Sequence, residues 1–201
     1  MIRTVDAQFV VTATRPEQYP KERINEIAFV GRSNVGKSSM INAVANRKKL
    51  VRVSNTPGRT RTLNFFDVTI ERGPARSVIR LCDLPGYGFA KVGRIERESW
   101  QSMIDDYLTH RQLLRAVVTI IDGEIGPTAD DISMIDFLQE TRARILVVAT
   151  KLDRVPKAKR KPQLISIATK LELPLEAVVG FSATERMGIE DVLERLVQVA
   201  G

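Results

Sequence analysis

Apolar and polar positions divide the chain into short strands alternating with amphipathic helices. Ile27-Ala28-Phe29-Val30 is a brief apolar run closed by Gly31, and Lys37 to Ala45 reads as the helix that follows. Leu63 to Glu71 alternates, with Phe66, Val68 and Ile70 on one face and Phe65, Asp67 and Thr69 on the other. A period of two suits a half-exposed strand. Arg72-Gly73-Pro74 is a turn, and Ser77 to Asp83 returns as the second arm of a hairpin. Trp100, Met103, Ile104, Tyr107 and Leu108 recur at helical spacing, a stripe best read as core packing. Val117 to Ile121 and Ile145 to Ala149 are almost unbroken apolar strands, as expected when helices cover both faces of a parallel sheet. A helix with Ile132, Ile135 and Leu138 lies between them. Beyond, Pro162 is expected in the first turn of another helix, Ala177 to Phe181 forms a last strand, and Ile189, Val192, Leu193, Leu196 and Val197 mark the final helix.

This succession predicts one α/β domain over residues 27–201, a three-layer, mostly parallel sheet with one antiparallel edge strand. Residues 1–26 are expected as an N-terminal extension packed on it. Composition adds a few bounds. The 201 residues suit a single domain, and 43% hydrophobic with 27% charged residues is ordinary for a soluble one. No apolar run is long enough to span a membrane, and the N-terminus lacks the pattern of a secretory signal. Cys82 is the only cysteine, which excludes an internal disulfide and points to a reducing cytoplasm. One cysteine and one histidine also argue against a Cys/His zinc site. A net charge of +7 raises nucleic acid or an anionic surface as a partner; a merely basic protein is the plain alternative.

The chemistry begins at Gly31-Arg32-Ser33-Asn34-Val35-Gly36-Lys37-Ser38, followed by Ser39, which satisfies the phosphate-loop pattern G-x-x-x-x-G-K-[ST]. The glycines let backbone N–H groups curl around phosphates, and the helix behind points its positive end at them. Lys37 would place an ammonium on the terminal phosphates, and the Ser38 hydroxyl would ligate Mg²⁺. At this stage ATP and GTP are equally open. A second strand ends in Asp83-Leu84-Pro85-Gly86, where a strand-end aspartate helps hold Mg²⁺ and the D-x-x-G form is typical of GTPases. Between the two lies Thr56-Pro57-Gly58-Arg59-Thr60-Arg61-Thr62. A switch threonine on the metal is expected here; Thr60 is chosen, with Thr62 and Thr56 as competitors.

Thr150-Lys151-Leu152-Asp153 selects between the nucleotides. The Asp153 carboxylate can accept from guanine's N1–H and exocyclic amine, a donor pair adenine lacks, and such a polar site penalises the wrong base. The Lys151 stem can cover one face of the base. Phe181-Ser182-Ala183 follows the last strand, where the Ala183 N–H would meet guanine O6. With these motifs in order, the fold class becomes a Ras-like P-loop GTPase that hydrolyses GTP to GDP.

The P-loop through Ser39, the segment Thr56 to Thr60 with Asn64-Phe65-Phe66, and Asp83-Leu84-Pro85-Gly86-Tyr87-Gly88-Phe89-Ala90-Lys91-Val92 together resemble the EngB (YihA/YsxC) family. These bacterial GTPases are similar to Era and Der. The resemblance runs from about Ile27 to the C-terminus and implies a role in assembling the large ribosomal subunit, so that the subunit or its rRNA would be the partner of a monomeric protein without stable membrane association. Thr150 departs from the asparagine many GTPases carry there. Tyr87 stands where Ras-like enzymes carry a water-orienting glutamine, so slow hydrolysis is expected without help. Asn34 resembles the asparagine of K⁺-activated GTPases, which would make K⁺ an auxiliary cofactor and Asn34 catalytic with Lys37 and Thr60; hydrogen bonding within the loop is an equal reading. The basic run Lys157, Lys159, Arg160 and Lys161 reads as a solvated helix lead-in or as an rRNA contact, and Arg59, Arg61, Lys91 and Arg94 lie on the two switches. A tRNA-processing or membrane-associated GTPase and an ATP-using kinase are the competing classes.

Overall fold

All six strands implied by the apolar pattern form, and the N-terminal segment contributes a seventh to the same sheet. The structure is a computed structural model that describes residues 1–51, 62–87 and 94–201, without the side chains of 94–101. In chain order the elements are β1 (Ile2–Ala13), β2 (Glu26–Gly31), α1 (Lys37–Val44), β3 (Leu63–Arg72), β4 (Ala75–Asp83), α2 (Arg94–His110), β5 (Leu114–Asp122), α3 (Ala129–Gln139), β6 (Arg144–Thr150), α4 (Lys157–Lys170), β7 (Val178–Gly180) and α5 (Ile189–Ala200). The sheet order is β1-β3-β4-β2-β5-β6-β7. Strand β3 is antiparallel to both its neighbours, while β4, β2, β5, β6 and β7 pair in parallel. The α/β class therefore stands, with β3 second from the edge because β1 lies outside it.

Two register shifts explain why β1 does not show as an alternating segment. They fall between Thr4 and Asp6 and between Phe9 and Val11. Each bulge inserts a residue and reverses which face the following side chains meet. Ile2, Thr4, Ala7 and Ala13 are the inward residues, a spacing that fits no single period.

Helices cover both faces. Met40, Ile41 and Val44 of α1 and Val192, Leu193 and Leu196 of α5 pack with Phe66, Val68 and Ile70 of β3 in one core. On the other face Ile104, Tyr107 and Leu108 of α2 join Leu63, Phe65 and Tyr19. A third cluster brings Ile135 of α3, Ile167 and Ala168 of α4, and Leu171 just after it together with β5 and β6. Trp100 lies outside the described side chains. Two expectations change. Ile132 is on the exposed side of α3, whose buried positions are Asp131, Ile135 and Leu138. Pro162 lies inside α4, beyond its first turn, because the helix already starts after Pro156 at Lys157. Pro162 therefore removes one internal bond, to the Ala158 carbonyl. Among the described residues no helix is long and apolar enough to cross a membrane.

Candidate nucleotide-binding site

Of the loops predicted to carry chemistry, the four among the described residues follow the carboxyl ends of β2, β4, β6 and β7, where open α/β sheets bind ligands. The phosphate loop turns through left-handed backbone at Asn34 (φ 61°) and Gly36 (φ 99°) before α1 starts with the Met40 N–H donating to the Gly36 carbonyl at 2.9 Å. Asparagine is one of the few side chains that tolerates this conformation. Loop geometry is therefore one reason for asparagine at position 34.

Register brings the two phosphate-side motifs together. Phe29 of β2 pairs with Asp83 of β4, and the Leu84 N–H donates to the Phe29 carbonyl at 3.1 Å. The Lys37 ammonium consequently rests on the Asp83 carboxylate and donates to the Leu84 carbonyl at 2.6 Å. Asp83 is only 2% exposed, so the pair is nearly desolvated and neither charge is well compensated without a partner. The next turn closes against the phosphate loop. The Tyr87 N–H donates to the Gly31 carbonyl at 3.2 Å, and the Ser33 N–H donates to the Tyr87 carbonyl at 3.4 Å. The Tyr87 hydroxyl donates to Asp131 Oδ1 of α3 at 2.8 Å. Burial, followed by the charge of Asp131, pushes that phenol far above its usual range.

On the base side, Thr150 is 3% exposed and its hydroxyl lies 2.6 Å from the Val35 carbonyl of the phosphate loop and 3.1 Å from the Ile121 carbonyl of β5. The departure from asparagine therefore keeps a tether between the phosphate and base loops. Lys151 adopts a left-handed φ of 57° and pairs with Asp122 at 2.6 Å. Asp122 also accepts from the Glu124 N–H at 3.0 Å, which fixes the turn after β5. The Ser182 hydroxyl donates to Asp153 Oδ1 at 2.7 Å and accepts from the Glu185 N–H at 3.0 Å, so one carboxylate oxygen is oriented by the last loop.

Several predicted site residues have only their backbone to offer a ligand. The side chains of Leu84, Leu152 and Phe181 are at most 1% exposed, and Phe181 packs in the core with Val179 and Phe29. Phe181 instead positions the base loop, its carbonyl accepting from the Leu152 N–H at 3.2 Å. Pro57, Gly58, Arg59 and Thr60, with Thr56 and Arg61, lie outside the described residues, as do Gly88, Phe89, Ala90, Lys91 and Val92 and the Arg94 side chain. Arg160, expected in a solvated basic run, is committed to Glu185 at 2.9 Å and to the Val155 carbonyl at 3.0 Å, bracing α4 against the loop that orients Asp153. Asp122 and Asp131 are participants the motifs did not bring out. Asp122 ends an apolar strand as Asp83 does, but it is followed directly by Gly123 rather than standing in a D-x-x-G. Asp131 carried no signal beyond its place in the Thr128 capping box.

The donors fit the Mg²⁺ that a phosphate loop implies. Ser38 and Asp83 are hard oxygen ligands flanking Lys37, and Mg²⁺ ordinarily takes one or two protein oxygens beside substrate phosphates. Among the described residues no cluster of His, Cys, Asp and Glu offers a competing metal site.

Similarity to known proteins extends over the whole chain. Residues 26–151 match a family described as 50S ribosome-binding GTPase. The chain is 56% identical, over all of its length and 98% of the other's, to a probable GTP-binding protein EngB of Myxococcus xanthus. Among solved structures it resembles a probable GTP-binding protein EngB at 26% identity and a TM-score of 0.66, covering 87% of this chain and 98% of that one. Aquifex aeolicus Era bound to GDP·AlF₄⁻ shares the fold at a TM-score of 0.72 and 22% identity, over 90% of this chain and 58% of Era.

Proposed function

The chain belongs to the EngB family of GTP-binding proteins, and on that premise we propose that it is a nucleotide-switched assembly factor for the large ribosomal subunit. Family membership implies GTP hydrolysis. The observation that carries the ribosomal reading is the match of residues 26–151 to a family described as 50S ribosome-binding GTPase; the net charge of +7 supports a polyanionic partner such as rRNA. Such a partner would place its work in the cytoplasm.

The chain's own residues have separable tasks. Backbone N–H groups of Gly31 to Ser39 cradle the phosphates, and Lys37 exchanges the Leu84 carbonyl for phosphate oxygens. Ser38 and Asp83 would hold Mg²⁺, with the switch threonine Thr60 as the further ligand, and the ion would neutralise charge on the β- and γ-phosphates. Asp153, oriented by Ser182, reads guanine. The Tyr87 hydroxyl is occupied by Asp131 and does not orient water, so intrinsic hydrolysis is slow and awaits help from K⁺ near Asn34 or from the partner.

Co-sedimentation with large subunits across a salt series, in GDP and in a non-hydrolysable GTP analogue, tests the proposal. Retention should be stronger with the analogue and fall steeply with salt. Equal retention in both nucleotides removes the switch. Absence of retention at low salt removes the ribosome and favours a tRNA-processing or membrane-associated role. Hydrolysis that is equally fast in K⁺ and Na⁺ removes the auxiliary cation.

A further inference from the structure

At the end of the sheet opposite the nucleotide loops, the starts of β2 and β5, the end of α2 and the segment before β2 enclose a cleft of about 720 Å³. It lies roughly one strand length, about 20 Å, from the phosphate loop. Lys21, Arg23, His110, Arg111 and Arg115 make its lining basic. Not all of this charge is available. Arg111 is bound to the fully buried Glu26 at 2.6 and 2.9 Å and lies 5.5 Å over the Tyr19 ring. His110 is 3.1 Å from Asp106, the carboxylate on the rim. Lys21 and Arg23 are different: both are exposed and have no ion pair among the described residues, since the intervening Glu22 turns to Arg80 at 3.2 Å. Arg115 is also exposed, and its Nε donates to Asn25 Oδ1 at 2.9 Å without any carboxylate partner among the described residues.

We propose that this cleft binds RNA through up to three backbone phosphates, one to each of Lys21, Arg23 and Arg115, an inference that rests on RNA being the partner class proposed above. Guanidinium and ammonium groups without carboxylate partners suit phosphate oxygens. The aromatic ring at the site, Tyr19, is 8% exposed beneath Arg111 and offers no face for a base to stack on, so the cleft reads backbone rather than sequence. An acidic protein partner would need apolar anchors beside the charges, whereas, apart from Pro16, the exposed side chains here are lysine, arginine, glutamine, histidine and aspartate. The wall behind them is rigid: the Tyr107 hydroxyl and Arg111 both donate to Glu26, tying the end of α2 to the start of β2.

The test is fluorescence anisotropy of labelled oligouridine with the full GDP-loaded chain over a NaCl series. Each phosphate contact to a single strand contributes a slope of about 0.7 in log K against log salt. K21A/R23A should lower the slope by about 1.4 and weaken binding about 25-fold at 0.1 M salt, with R115A giving about half that slope change. GDP affinity should stay at the wild-type value, reporting an intact fold, and K157A/K159A on α4 should leave the slope unchanged. An unchanged slope in K21A/R23A, or no binding by the wild type at low salt, overturns the cleft. Subunit sedimentation separates this result from the ribosomal reading: oligouridine binding that depends on the cleft, in a protein that large subunits never retain, keeps the cleft and removes the ribosome.

Discussion

The hydroxyl of Thr150 is the smallest group whose removal should affect both stability and nucleotide binding. It is buried and sits 2.6 Å from the Val35 carbonyl, the one side-chain bond seen between the guanine loop and the phosphate loop among the described residues. Thr150→Val keeps the shape and replaces the donor by a methyl group. The Val35 residue is itself only 5% exposed, so its carbonyl is left in a largely dry environment. Leaving a buried acceptor unsatisfied costs about 1–3 kcal/mol. Taking about 2 kcal/mol, and about 2–4 °C per kcal/mol for a domain of this size, the nucleotide-free Tm should fall by about 4–8 °C. Because the tether fixes the loop that cradles phosphate, part of the loss should appear in binding, as a GDP Kd raised about threefold to tenfold. Thermal unfolding by far-UV circular dichroism, without nucleotide and with saturating GDP, together with titration of a fluorescent GDP analogue, measures both. Thr150→Ser keeps the donor and should recover most of each effect. Wild-type Tm and GDP affinity in Thr150→Val would refute the tether, and a serine variant as impaired as valine would show that packing, not the hydrogen bond, matters there.

Other consequences are equally direct. Lys37→Ala should lower GTP affinity by two or more orders of magnitude, on the order of 3 kcal/mol for a lost charged contact to phosphate, in a protein whose circular dichroism is unchanged. Asp153→Asn should shift preference from guanine to xanthine nucleotides, because xanthine presents a carbonyl where guanine presents its amine; competition between GTP and XTP checks it. Gly188 has a φ of 78° and a Cβ there would lie 2.1 Å from the Gly180 carbonyl oxygen, so Gly188→Ala should lower Tm by several degrees, read by the same thermal unfolding. The Tyr19 hydroxyl is buried with no hydrogen-bond partner among the described residues, and burial pushes its phenol up to about 12. A raised folded pKa means the stability it contributes is complete below about 10 and is lost as pH rises from there through about 12. Tyr19→Phe should therefore be neutral or stabilising by up to about 1 kcal/mol at neutral pH and should flatten the loss of stability above pH 10, as denaturant titrations across pH would report.

The chemistry of the site is local in sequence, and that is why so much of it was legible. Gly31 to Ser38, Asp83 to Gly86 and Thr150 to Asp153 each follow an apolar strand, and a parallel sheet necessarily delivers such strand ends to one edge. The residue types at those ends state the ligand: backbone donors and Lys37 for phosphate, Asp153 for guanine. What only the tertiary structure decided depends on register and on contacts between distant segments. The phase of β1 is broken by two bulges, so no period reveals it, and its pairing with β3 places the N-terminal segment inside the sheet. Phe181 looked like a site residue by position, but burial in the core leaves only its backbone for the base loop. Arg160 looked like a free cation until Glu185, 25 residues away, came to meet it. The uses of Thr150, Asp122 and Asp131 came from the same cause. A polar side chain at a strand end or helix start can serve water, a cap or a neighbouring loop with the same atoms, and only packing across 115 residues, from Thr150 to Val35, selects which.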